Sequence, residues 1–270
     1  MRPLRLISSV AMLACGLSLA LFAQMGTIPQ SSFASAGAPD LTVSRVAARL
    51  SPELALAVYE KGVRTQSSVL AGYTATTVID AELPDSAQRA VLEVKRRYAA
   101  PSVLEFTPLH STGDKFVTSN IIVRLLQSEV DHVHKQEQSQ TAIDSDNYKF
   151  SYKGTSALNG IPVHVYDVKP RKKRVGLFKG RVFLEEATGR LLRAQGTVTK
   201  TPSFFIRKIR FTQDYGMVAG FTLPTHIRSE ADTRLVGKAV VDMVHRDYQP
   251  EISGGDDSRL VPVASADGAN

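Results

Sequence analysis

The 270-residue chain carries 33 lysines and arginines against 26 aspartates and glutamates, a formal charge of +7, and contains one cysteine. Its length allows one large domain or two small ones, with a single core as the simplest arrangement. Cys15 lies in the leader described next, so the remainder forms no disulfide and no thiolate metal site, and the fold holds by burial alone.

Arg2 and Arg5 precede an apolar run from Leu6 to Ala23, and Ala34-Ser35-Ala36 supplies the small residues of a cleavage site. Residues 1–36 therefore read as a secretory signal. The alternative is a retained N-terminal anchor in the inner membrane, because the run approaches the about 20 residues that span a bilayer. Either form places the chain in the periplasm, away from nucleotide cofactors and nucleic acid. Its basic segments are then read against membranes and other envelope components. Without the leader the formal excess falls to +5, a modest figure that matters only where the cations are concentrated.

After a linker at 37–42, Val46, Leu50, Leu54 and Val58 recur at four-residue spacing along one helical stripe, and Ser51-Pro52-Glu53 offers a cap and a first-turn proline for a new helix, so one bent helix or two short ones both fit. Strands follow over Tyr73 to Ala81 and Ala90 to Tyr98, the second alternating Leu92 and Val94 with Glu93, Lys95 and Arg97. Pro101 ends that strand, and Leu104 and Phe106 belong to another that closes at Ser111-Thr112-Gly113-Asp114. A second helix is expected from Phe116 to His134, with Ile122, Leu125, Leu126, Val130 and Val133 on its apolar face. From Asn147 the chain reads as strand after strand: Asn147 to Lys153, Ile161 to Val168, Arg181 to Glu186, Leu191 to Thr199, Phe204 to Thr212, Phe221 to Ser229 and Val236 to Tyr248. Asn159-Gly160 is a hairpin signal and Gly189 supplies a left-handed residue in another short loop. The tail from Pro250 is polar and small-residue rich, and is expected to be disordered.

Connections this short make consecutive strands antiparallel neighbours. About ten strands exceed what a small flat sheet holds, so the expected fold class is α+β: an antiparallel half-barrel, incomplete as a barrel, with two helices on its concave face and a single domain over 43–250.

This order of elements resembles the superfamily of Lol-type outer-membrane lipoprotein carriers and outer-membrane lipoprotein-sorting proteins. The similarity rests on Leu70-Ala71-Gly72-Tyr73 after the first helix, on Val91-Leu92-Glu93-Val94 through Pro101 to Leu104-Glu105-Phe106, and on Arg124-Leu125-Leu126-Gln127-Ser128-Glu129. Asn159-Gly160-Ile161-Pro162-Val163-His164-Val165-Tyr166 and Thr188-Gly189 complete it. The resemblance implies an unclosed barrel whose apolar concavity, lidded by helices, accepts acyl chains. It also implies an arginine that latches the lid, to which no motif here assigns a position.

Two constellations are candidate sites. Leu92, Val94, Phe106, Phe150, Val163, Val165, Leu192, Val198, Phe221 and Ile227 sit at alternating strand positions, where they either line a cavity or pack as an ordinary core. Lys169, Arg171, Lys172, Lys173, Arg174, Lys179 and Arg181 surround Val175, Leu177 and Phe178, as expected of a loop that touches anionic headgroups while its apolar tip enters the interface. The competing reading is a solvated connection whose cations guard a sheet edge.

Catalytic patterns do not emerge. No G-x-S-x-G elbow, phosphate loop or dinucleotide fingerprint occurs, and adjacent Glu185 and Glu186 on a strand face opposite ways. Glu129 and His132 match one Glu-x-x-His, where a di-metal bundle needs two. No enzyme, cofactor or metal site is therefore expected. The partners expected are a lipid or acyl chain, an anionic membrane surface, or an envelope protein, and no nucleic acid. Two functions compete: a non-enzymatic periplasmic carrier or sensor of a lipid or lipoprotein, and an interaction or regulatory module that docks a membrane-protein partner on the curved sheet.

Overall fold

Ser51 caps the first helix, its hydroxyl accepting the Leu54 N–H at 3.2 Å, and Pro52 occupies the first turn where its missing N–H costs nothing. The computed structural model describes residues 49–253. After α1 (Pro52–Val69) come β1 (Leu70–Leu83), β2 (Gln88–Ala99) and β3 (Val103–Gly113). A helical rod over 115–134 follows, built from α2 (Lys115–Val117), a π turn (Thr118–Ile122) and α3 (Val123–His134); a short α4 (Gln138–Thr141) lies beyond it. Seven strands complete the chain: β4 (Tyr148–Leu158), β5 (Ile161–Pro170), β6 (Phe178–Glu185), β7 (Leu191–Val198), β8 (Ile206–Val218), β9 (Phe221–Thr233) and β10 (Lys238–Ile252).

All ten strands join one antiparallel sheet in the order β3-β2-β1-β10-β9-β8-β7-β6-β5-β4. β3 and β4 form the two outer edges, so the sheet curves without closing and is a half-barrel. Irregularities at Thr74/Thr76, Glu93/Val94, Tyr152/Gly154, Phe183/Leu184 and Asp214/Tyr215 bend the strands, as bulges do. Asn159 (φ 50°) and Gly160 (φ 81°) make the tight turn between β4 and β5 that their identities favour.

Period-two burial fixes which face is inside. In β1 the side chains of Tyr73, Ala75, Thr77, Ile79, Ala81 and Leu83 are buried, while Thr74, Thr76, Val78, Asp80 and Glu82 between them are less so. The two rods divide this concave face. α1 sets Tyr59 and Val63 on Tyr148, Tyr166, Val182, Leu184 and Leu191, while the 115–134 rod sets Val117, Ile121, Ile122, Leu125 and Leu126 on Ile79, Leu92, Val94, Ile227 and Met243.

α1 is bound by polar ties at both ends and its middle. Tyr166 Oη donates to the Pro52 carbonyl (2.6 Å), and Tyr59 Oη donates to the Ile143 carbonyl (2.7 Å). The amide of Gln66 meets both the N–H and the C=O of Thr222 (3.1 and 3.2 Å), in the manner of a neighbouring strand. Gly189 (φ 70°) lies so close under the helix that a Cβ there would fall 2.7 Å from the Ala55 carbonyl oxygen.

Two expectations change here. The polar tail does not begin at Pro250, because β10 runs to Ile252 and pairs with β1 there; the rest of that tail lies outside the described residues. β8 begins at Ile206 rather than Phe204, which is 76% exposed with the Arg234 guanidinium 4.5 Å from its ring centroid. The signal, anchor and linker readings of residues 1–42 and the position of Val46 fall outside the described residues. Among those described, no helix is long and apolar enough to cross a membrane.

Candidate functional site

Strand parity delivers an arginine to the interior. In β2, Leu92, Val94 and Arg96 share the buried face, so Arg96 projects beneath the rod that covers this half of the sheet. Helical spacing brings its partner, because Glu129 lies on the same stripe as Leu125, Leu126 and Val133. Arg96 Nη1 donates to Glu129 Oε2 at 2.6 Å, with side chains only 4% and 2% exposed. Arg96 Nε also donates to Tyr73 Oη (3.1 Å), and the guanidinium lies 5.3 Å from the Phe106 ring centroid and 5.9 Å from that of Tyr73. The second carboxylate oxygen of Glu129 accepts no hydrogen bond. Burial holds the Glu129 carboxyl above its ordinary value, and Arg96 pulls the other way.

His245 extends this polar seam along β10. It is buried, pairs across the sheet with Thr77, and shares a 2.9 Å hydrogen bond between Nδ1 and Thr77 Oγ1. Burial first, then the charges of Arg96 and His226, push its ring down to about 3, so it is neutral. Tyr73, Tyr98 and Tyr248 pack edge to face or tilted at 5.3 Å between centroids, closing the end of the seam beside Phe221. A sheet and a rod are thus joined by a charged hydrogen bond set within an apolar surround. Such a joint holds geometry but adds little net stability, since desolvating both ions consumes most of their attraction.

The apolar residues nominated from sequence do not form one lining. Leu92, Val94, Phe106 and Ile227 lie together under the rod. Phe150 packs with the α1 group, Phe221 lies with Tyr73 at the far end, and Val198 joins Ile206 and Ile209. Val163, Val165 and Leu192 form a separate buried group with Leu158 and Phe183, on the convex face. The physical reason is parity again: His164, Tyr166 and Val168 of β5 turn toward α1, so Val163 and Val165 turn away, and Leu192 sits at the bulge after buried Leu191.

The basic segment is also redrawn. Lys169 belongs to β5 and Lys179 and Arg181 to β6, leaving a connection over 171–177. Leu177 and Phe178 are 2% and 4% exposed, Phe178 packing on Tyr148 and Phe211, so neither is a tip that enters a membrane interface. Arg171, Lys172 and Arg174 instead surround a depression of about 80 Å³ with Asp146, Asn147 and Leu177. Arg171 Nε donates to the Ser145 carbonyl (2.7 Å) and Arg174 Nη1 to that of Gln140 (3.5 Å), fixing the loop to the connection that leaves the rod.

The Glu-x-x-His pair is separated by its partners: His132 meets Thr141 (3.1 Å) and Glu137 (3.2 Å), away from the Arg96–Glu129 bond. Among the described residues, no three His, Cys, Asp or Glu side chains are placed to hold a metal ion.

No protein-family model matches the chain, and no curated protein matches it. Solved structures of similar fold include a LolA superfamily protein from Nitrosomonas europaea (12% identity, 66% of this chain and 85% of that one, TM-score 0.33). A second is a putative outer membrane lipoprotein-sorting protein domain from Vibrio parahaemolyticus (12% identity, 69% and 87%, TM-score 0.37). A third is a DUF1329 family protein from Desulfovibrio piger (12% identity, 77% and 92%, TM-score 0.36). At 12% identity, these are likenesses of fold.

Proposed function

We propose that the protein is a periplasmic, non-enzymatic carrier or sensor that receives an acyl or similarly apolar chain between the 115–134 rod and the concave sheet. The observation that carries this reading is the fastening of the rod. Its apolar side covers Leu92, Val94 and Ile227, and a polar tie across that contact is the buried Arg96–Glu129 bond. A protein selected only to keep this interface shut would do better with apolar side chains, since replacing buried ion pairs by them is often neutral or stabilising by about 1–4 kcal/mol. A charged bond with one unpartnered carboxylate oxygen is a releasable fastener. When the rod lifts, the sheet residues beneath it exchange their contacts with the rod for contacts with a ligand, at about 0.8 kcal/mol for each methylene buried.

A delipidated sample should melt at a higher temperature with palmitate or phospholipid than without. The double variant Arg96→Met/Glu129→Leu should be at least as stable as the parent without ligand and gain less from palmitate. No shift in the parent protein with either lipid, accompanied by stoichiometric capture of one envelope protein, would replace this reading with the docking-module one. An unchanged palmitate response in the double variant would remove the ion pair from the mechanism.

A further inference from the structure

The convex face has a feature that the carrier reading does not use. Lys149 of β4 and Lys169 of β5 are direct cross-strand partners. Lys169 stands one residue beyond the Val168–Gly180 pair, and Lys179 one residue before Gly180, which extends the row onto β6. The row ends at Thr197 of β7, because the next residue along it, Arg210 of β8, is paired with Glu230 (3.5 Å) and Asp232 (3.8 Å). Like charges placed directly opposite destabilise a sheet, so folding alone does not account for this row. The acids nearby leave the three lysines unneutralised: Asp167 is engaged by Lys153 (3.6 Å) and Arg181 (3.2 Å), and Asp146 faces Arg171, Lys172 and Arg174 in the depression. Lys149, Lys169 and Lys179 are exposed and make no ion pair among the described residues.

We propose that this corner, the lysine row together with the 171–174 loop at its end, docks the protein on an anionic lipid surface through electrostatics alone, without insertion. Three observations select a membrane over an acidic protein. The row lies on a broad sheet face across three adjacent strands, which suits a planar partner. Its strand cations are lysines, compact point charges suited to diffuse phosphates and depleted from protein interfaces. Of the loop's apolar residues, Leu177 and Phe178 are committed to the core and only half-buried Val175 is left, a small anchor for a protein partner. The proposal is independent of any cargo, and its test is made without one.

Protein isolated from the envelope is mixed with vesicles of phosphatidylcholine, or of phosphatidylcholine with one-third phosphatidylglycerol, at 50 and 500 mM salt. Binding should appear with the anionic vesicles at low salt and be lost at high salt, because screening shortens the reach of exposed charges to about 3–10 Å over the range 0.1–1 M. The variant Lys149→Gln/Lys169→Gln/Lys179→Gln should bind about 100-fold more weakly and melt no lower than the parent, since it removes repulsion rather than contacts. Lysine acetylation mapped by mass spectrometry should show anionic vesicles protecting these three lysines, whatever the N-terminal segment does. Equal binding to both vesicle types, no protection of these lysines, undiminished binding by the variant, or stronger binding to polyglutamate than to vesicles would overturn the proposal.

Discussion

Arg96 and Glu129 meet at 2.6 Å almost beyond the reach of water. Removing one partner leaves the other charged and desolvated, so Arg96→Leu should lower stability by about 3–5 kcal/mol in denaturant titration. Arg96→Met/Glu129→Leu should return to the parent value or exceed it. If the single and double variants fell equally, the pair would not be coupled. His245 sets a second residue-scale expectation. Its folded pKa lies below the ordinary histidine value of about 6.5, so protonation favours the unfolded chain. The stability it contributes is fully present above about pH 6.5 and is lost as pH falls toward 3, at about 1.4 kcal/mol per unit. Glu129, raised by burial, runs the opposite way, so the informative quantity is a difference between proteins. Between pH 7 and pH 5, His245→Gln should lose about 2 kcal/mol less stability than the parent. Parallel pH curves would show that His245 is not held neutral.

At the scale of elements, the two rods differ in how they are attached. Gln66, Tyr59 and Tyr166 tie α1 to the backbone of other segments, and Gly189 allows its close approach. Gly189→Ala should cost more than about 1 kcal/mol, because alanine resists that positive φ and its Cβ meets the Ala55 carbonyl. In native-state hydrogen exchange, amides of the 115–134 rod should open at lower free energy than those of α1; the reverse order would refute a fixed helix beside a lifting one. These elements were largely legible in the sequence. Ser51-Pro52, Asn159-Gly160 and the alternation of β2 are local signals, and the structure follows them. Arg96 and Glu129 were legible in part: Arg96 shares parity with Leu92 and Val94, and Glu129 shares a helical stripe with Leu125 and Leu126. A charged residue on an apolar face reads as a surface position until its partner is known, so their pairing follows only from the tertiary structure. The facing of Val163 and Val165 is hidden for a related reason. In β5 both faces are apolar, so alternation does not say which one is inside.

For the whole molecule, the decisive pairing is β1 with β10, which joins the first three strands to the last seven. Nothing local announces a partnership across the length of the chain, whereas the hairpins declare themselves through their turns. That pairing places Ile79 and Thr77 beside Met243 and His245, and so assembles the floor on which the rod rests. The convex face carries the lysine row, opposite the helix-covered face, so a membrane contact and an apolar ligand would occupy different sides of one sheet. The most direct test of the central claim is native mass spectrometry of the protein isolated from the envelope, before and after delipidation and on return of phospholipid or palmitate. The account predicts a lipid adduct of one chain on one protein that delipidation removes and lipid restores. A bare protein mass at every stage would contradict it.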